Sequence, residues 1–282
     1  MSDRFELRGV VAPTLMLLFM AGCGGGDGGG ASSGGGGGAA MENPVNAATA
    51  GNIAGSIMFE GDAPSMDVID MSSETVCADK HASPQMIQEV VVNSNGALAN
   101  VFVYVKEGLE SLQFPTPAAA LLDQNGCVYL PHVLGVMVGQ DITIRNSDGL
   151  LHNINASPTI NRGFNSSQPV SMETTRSFRA AEVMVPLRCD VHGWMTAYIG
   201  VLDHPFHSVS SGSGAFSLST LPPGEYVIEA WHERYGTQTQ TVTVTTGETA
   251  EVNFTFSASM AQNAVVPLGA PVDLHGAVAE IS

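Results

Sequence analysis

Positive charge is scarce in this chain: ten Lys and Arg stand against 27 Asp and Glu in 282 residues, a formal net charge of −17. So few cations cannot neutralise a phosphate backbone, and the surplus of carboxylates is repelled by anionic headgroups. The balance therefore argues against nucleic-acid binding and against docking on anionic lipid. An acidic surface can instead steer a basic partner toward it. Apolar runs are short too. Val10 to Met20 falls well under the roughly 20 residues that a spanning helix needs. Catalytic signatures are missing: there is no nucleophile elbow at a strand-to-helix turn, no phosphate-binding loop and no His-Glu-x-x-His. These absences point away from an enzyme.

Charged residues make up only 13% of the chain while glycine reaches 32 residues, a balance that suits short strands and turns better than helical bundles. Ile53 to Phe59 alternates apolar and small residues and then turns at Gly61 to Pro64. Met86 to Val105 reads as two strands around an Asn93 to Gly96 turn, with Val101, Val103 and Val105 on one face. Further strands are expected at Cys127 to Val133, Gly135 to Asn146, Leu150 to Ala156, Ser177 to Leu187 and Ile199 to Leu202. This density of strands suits a sandwich, whose loops cluster at its ends.

Chemistry concentrates between Asn146 and Asp203, in the runs NSDGLLHNINA and VPLRCDVHGWMTAYIGVLD. His152 lies in the first, and Cys189, His192 and Met195 in the second. Two imidazoles and a thiolate with a weak axial thioether are the ligand set of an electron-transfer copper centre, because the set serves Cu(I) and Cu(II) about equally well. Taken alone, a strand histidine is usually an ordinary packed residue and a methionine usually core filler. Their joint occurrence at Cys-x2-His-x2-Met spacing, after a strand that ends in histidine, sets the metal reading above that ordinary one.

From Gly135 to Asp203 the chain resembles the cupredoxins, with an upstream strand of plastocyanin and amicyanin type and an amicyanin-like tight loop. The resemblance implies one type 1 copper ion held by His152, Cys189 and His192 with Met195 on the axis. It implies that Asn153 ties the upstream strand to the cysteine loop and that the His192 ring edge is exposed. Asp190 is expected beside the site, where a carboxylate aimed at the ion would favour Cu(II). Trp194 offers an apolar docking surface for a redox partner such as a c-type cytochrome or a respiratory complex. Four protein ligands leave no open position for substrate, so an electron carrier rather than a catalyst is expected.

The N-terminus, with Arg4 and Arg8 before the apolar run and Phe-Met-Ala-Gly-Cys ending at Cys23, resembles a bacterial lipoprotein signal. That resemblance implies lipidation of Cys23, a membrane anchor, and residence in the periplasm or at the cell surface. Of the four cysteines, Cys77 and Cys127 then remain. A disulfide is the natural reading in an oxidising compartment. With His81 and His132 they could alternatively form a tetrahedral zinc or second copper site.

Beyond His204, GAFSLSTLPPGEYVIEAWHE followed by Thr-rich strands resembles the carboxypeptidase regulatory-like, or transthyretin-like, sandwich. The expected fold is therefore all-β: a cupredoxin-like Greek-key β-sandwich plus a smaller transthyretin-like or Ig-like β-sandwich. Expected domains are a signal peptide over 1–22, a Gly-rich tether over 23–50, the copper sandwich over 51–205, the second sandwich over 206–256 and a tail over 257–282. Strand 51–60 is free to pair with either sandwich, and the copper domain could be an insertion in the other. His204, His207 and His232 read as surface or packed histidines. Two functions stand at this point: a membrane-tethered blue-copper electron carrier, or a surface binding or adhesion lipoprotein whose sandwich does the work and whose copper is structural, stored or absent.

Overall fold

Apolar alternation and turn chemistry produce strands across residues 43–263, which are the residues that the computed structural model describes. The expected signal peptide, the lipidated Cys23, most of the tether and the tail beyond 263 lie outside them. The strands are β1 (Gly51–Glu60), β2 (Phe102–Glu107), β3 (Ala120–Gln124), β4 (Tyr129–Leu130), β5 (Val133–Met137), β6 (Ile142–Asn146), β7 (His152–Ala156), β8 (Phe164–Gln168) and β9 (Met172–Arg176). They continue as β10 (Glu182–Arg188), β11 (Thr196–Leu202), β12 (His207–Val209), β13 (Ala215–Leu221), β14 (Gly224–His232), β15 (Gly236–Val244), β16 (Thr249–Glu251) and β17 (Phe254–Ser257). A single helical turn, α1 (Thr75–Ala78), lies between β1 and β2. The fold is all-β, as the sequence implied.

Two pairs of sheets make two cores. In one, the order β5-β11-β10-β7-β8 faces β4-β3-β6-β9, and Leu122, Ile144, Ile154, Val185 and Ile199 fill the space between them. In the other, β13-β1-β16, with β17 also on β1, faces β12-β2-β14-β15 over Ile53, Ile57, Val103, Leu218, Ile228 and Phe254. Both cores are built from inward-facing residues at every second position, the period of a pleated strand.

The second sandwich takes strands from both ends of the described chain. Strand β1 pairs antiparallel with β13 and parallel with β16 and β17, while β2 pairs with β12 and β14. Gly55 permits the close approach on β1, since a Cβ there would lie 1.6 Å from the Val252 carbonyl oxygen. The strands carrying the candidate ligands thus fall, in sequence, between β2 and β12.

Strand β2 is buried on both faces. Val101, Val103 and Val105 enter the core of its own sandwich, and Phe102 and Tyr104 join Val133 and Leu202 from the other. Met86 to Val92, expected as a strand, makes only isolated bridges such as Val92 to Leu98. There the Asn93 side chain accepts the amides of Asn95 and Ala97, so a side-chain-capped turn replaces an extended ladder.

Candidate metal centre

Strand β7 presents His152, and the link from β10 to β11 presents Cys189, His192 and Met195. The pairing of β10 with β7, Leu187 opposite Ala156 and Arg188 opposite Asn155, brings the two runs to the same end of one sheet. The link is closed by its own backbone: Cys189 N–H donates to the Met195 carbonyl at 3.0 Å, and Met195 N–H to the His192 carbonyl at 2.9 Å.

One ligand atom from each of His152, Cys189 and His192 lies within 4.8 Å of the others. The two Nδ1 atoms are 2.9 Å apart, and Cys189 Sγ is 3.9 Å from His192 Nδ1. Met195 is buried in the same core cluster as Cys189. Exposure is 0% for His152, 1% for Cys189, 2% for His192 and 1% for Met195. Two borderline nitrogens and a soft sulfur converging in a buried site are a donor set that fits copper.

Each donor is held from behind. His152 Nε2 is 2.9 Å from an oxygen of Asp148, so its Nε2–H is committed to that carboxylate and Nδ1 is turned to the cluster. Asp148 also accepts Gly126 N–H at 2.7 Å, Cys127 N–H at 2.8 Å and an ion pair from Lys80 at 3.1 Å. Burial alone would raise the carboxyl; these donors outweigh it and hold the pKa down at about 2. The sequence reading missed Asp148, although an acid four residues before a ligand histidine in Asn-Ser-Asp-Gly was a signal that could have found it.

Cys189 is pulled in opposite directions as well. Burial raises its pKa, but His152 and the backbone amides of Asn153, His192 and Val191 lower it, and the thiol ends below its ordinary value. For His192, burial and the neighbouring His152 lower the pKa. His152 is raised: burial opposes the shift, and Asp148 and Cys189 carry it.

Asn153 bonds β7 to the cysteine loop. Its Oδ1 accepts Asp190 N–H at 2.7 Å and lies 3.3 Å from Cys189 Sγ, while its Nδ2 donates to Asn165 and Asp190. Asp190 lies differently from expectation. Its carboxylate meets the amides of Asn153, Asn155 and Asn165 and the Arg188 guanidinium, and none of those partners is a ligand atom. Four donors along the rim satisfy its charge away from the cluster.

His192 also departs from expectation, for its ring edge is covered. Cys77 Sγ lies 3.9 Å and a Glu74 oxygen 4.0 Å from Nε2. Trp194, half-buried, packs its ring 5.2 Å from that of His192 and donates Nε1–H to the Cys127 carbonyl at 2.9 Å. Cys77 and Cys127 are joined as a disulfide. The alternative metal site does not assemble, because His81 bonds the Gly126 carbonyl and His132 bonds Thr196 and Glu233. His204, His207 and His232 are packed histidines, held neutral by burial.

The family model of the carboxypeptidase regulatory-like domain matches residues 197–257. No curated protein matches the sequence. Among solved structures, the chain is similar to a copper-containing nitrite reductase from Thermus scotoductus at 16% identity and TM-score 0.29, over 34% of this chain and 25% of that one. It spans only a quarter of that enzyme's length. A purple cupredoxin from Nitrosopumilus maritimus aligns at 21% identity and TM-score 0.26, over 29% of this chain and 98% of the other. An amicyanin variant in its Cu(I) form aligns at 18% identity and TM-score 0.28, over 30% and 82%.

Proposed function

We propose that this chain is a type 1 copper protein that carries single electrons, and that His152, Cys189, His192 and Met195 would hold the ion. The observation that supports it best is the convergence of two imidazole nitrogens and one thiol within 4.8 Å, every donor buried. Copper bound there supplies a one-electron couple, since the mixed soft and imidazole set serves both oxidation states.

The chain's own work is positional. Asp148 fixes the tautomer and plane of His152, Asn153 fastens the cysteine loop to β7, and backbone amides stabilise the thiolate. Donors held this firmly move little when charge changes, which keeps the reorganisation cost of each transfer small. With four protein ligands no position is left for substrate, so we read a carrier rather than an enzyme.

We further infer that Cys23 carries lipid and tethers the protein to a membrane in the periplasm or at the cell surface, where a disulfide persists. The partner would be a redox protein such as a c-type cytochrome or a respiratory complex. The surplus of carboxylates favours a basic face on it, with Trp194 at the contact.

The match of residues 197–257 to a carboxypeptidase regulatory-like domain favours a second reading, a surface binding lipoprotein whose copper is structural or stored. Adding Cu(II) to the metal-free full chain separates the two. An intense thiolate-to-copper band that is lost in Cys189→Ala and bleaches reversibly with reductant supports the carrier. A colour that does not cycle supports storage, and a colourless protein rejects the copper site.

A further inference from the structure

The His192 side of the cluster is covered by a segment that connects two strands of the other sandwich but packs into the core around Cys189. Residues 74–81 lie in the connection between β1 and β2, and they run across the His192 side of the cluster. We propose that this segment is a lid on the metal site, locked by the Cys77–Cys127 disulfide, and that the lock makes the bound ion kinetically inert. The proposal rests on the copper reading above.

Three attachments fix the lid besides the van der Waals contact of Cys77 with His192. The disulfide ties α1 to the turn before β4. Lys80 forms its ion pair with Asp148 at 3.1 Å, and His81 Nε2 bonds the Gly126 carbonyl at 2.7 Å. The His81 ring lies directly on that turn, for a Cβ on Gly126, at φ +70°, would be 2.7 Å from it. The turn is itself bonded to the metal loop through Trp194 Nε1–H and the Cys127 carbonyl.

Approach from solvent to the His192 side of the donors therefore needs either the lid or the metal loop to open. The two half-cystines are fully buried among the residues that surround Cys189 and Met195, so opening the lid exposes part of a core. Local openings of this kind set the rate at which a buried site exchanges with solvent. A covalent cross-link that shortens the excursions of the lid suppresses them. The lid acts on the barrier and not on the bonds to the ion, so entry and release should slow together while affinity moves much less.

The test uses the full chain and Cu(II) itself. Metal-free protein is mixed with Cu(II) and the appearance of the thiolate-to-copper band is timed; loaded protein is then mixed with excess aminopolycarboxylate chelator and the loss of the band is timed. In the double variant Cys77→Ser, Cys127→Ser both rates should rise by roughly tenfold or more relative to the intact protein. His81→Leu, which keeps the disulfide and loosens one attachment without touching Asp148, should raise both by about threefold, the worth of a single partly exposed hydrogen bond. It decides the matter if the double variant does not fold. Unchanged rates overturn the lid while leaving the copper site standing, as does faster release with affinity lost in step. No band in any of the three proteins overturns the copper site and the lid together.

Discussion

Replacing Asp148 by asparagine removes one negative charge from a point where four donors meet: His152 Nε2–H, the amides of Gly126 and Cys127, and Lys80. Asparagine is nearly isosteric but offers one acceptor oxygen, so about two charge-assisted bonds are lost, at about 1.5 kcal/mol each. The pKa leads to a similar figure. A carboxyl held at about 2 in place of its ordinary 3.8 corresponds to about 2 kcal/mol in favour of the ionised form. Asp148→Asn should therefore cost about 2–3 kcal/mol in urea unfolding of the metal-free protein at pH 7, and about 10–100-fold in copper affinity. The deficit should also depend on pH. The folded-state pKa lies below the unfolded one, so the contribution of Asp148 is complete above about pH 4 and is lost as the pH falls toward 2. The difference between wild type and variant should shrink over that window. A variant within about 0.5 kcal/mol of wild type at pH 7, with unchanged affinity, would refute the role assigned to this carboxylate.

Asn153→Ala leaves Asp190 N–H without its acceptor and unties β7 from the cysteine loop, so a loss of about 2–3 kcal/mol is expected by chemical denaturation. A visible band of lower intensity or shifted position should accompany it. His232 is neutral in the folded state, pulled down to about 3 chiefly by burial and then by His132 and Arg234. Its folded pKa lies below the unfolded value near 6.5, so its stabilising contribution is full above that pH and is lost as the pH falls from about 6.5 toward 3. The slope is about 1.4 kcal/mol per unit. His232→Phe should flatten the acid limb of the melting-temperature profile, and an unaltered limb would remove His232 as its cause.

That Cys189, His192 and Met195 share one link was legible from their spacing, and a histidine-bearing strand narrowed the fourth partner. The β-strands were legible from their period of two. What covers and fixes the trio was not. The lid reaches His192 from 115 residues away, and Asp148 meets its amide donors from 21 and 22 residues away. No local pattern encodes such meetings. The same holds for the parallel pairing of β1 with β16 and β17, since parallel partners lack a hairpin to announce them. Met86 to Val92 shows the converse failure: a run of β-branched residues is strand-like by propensity, but Val91 is exposed and the turn is capped by Asn93, so nothing draws it into a ladder.

The union of the two sandwiches can be probed on β11, which leaves the metal loop at Thr196 and passes under β2. A Cβ on Gly200 would lie 2.5 Å from both Cε1 and Cζ of Phe102 and 2.9 Å from Met184 Sδ. Methionine is flexible and can yield, but the Phe102 ring is fully buried and sits between the sandwiches. Gly200→Ala should therefore cost about 1–3 kcal/mol by overpacking. Phe102→Ala should cost about 3–5 kcal/mol by leaving a cavity. Together they should cost less than the sum by at least about 1 kcal/mol, because the new methyl enters space that the ring has vacated. An additive cycle in urea unfolding would mean that the ring and the glycine do not meet, and the shared burial of β2 would then not hold the sandwich of the candidate site to the other.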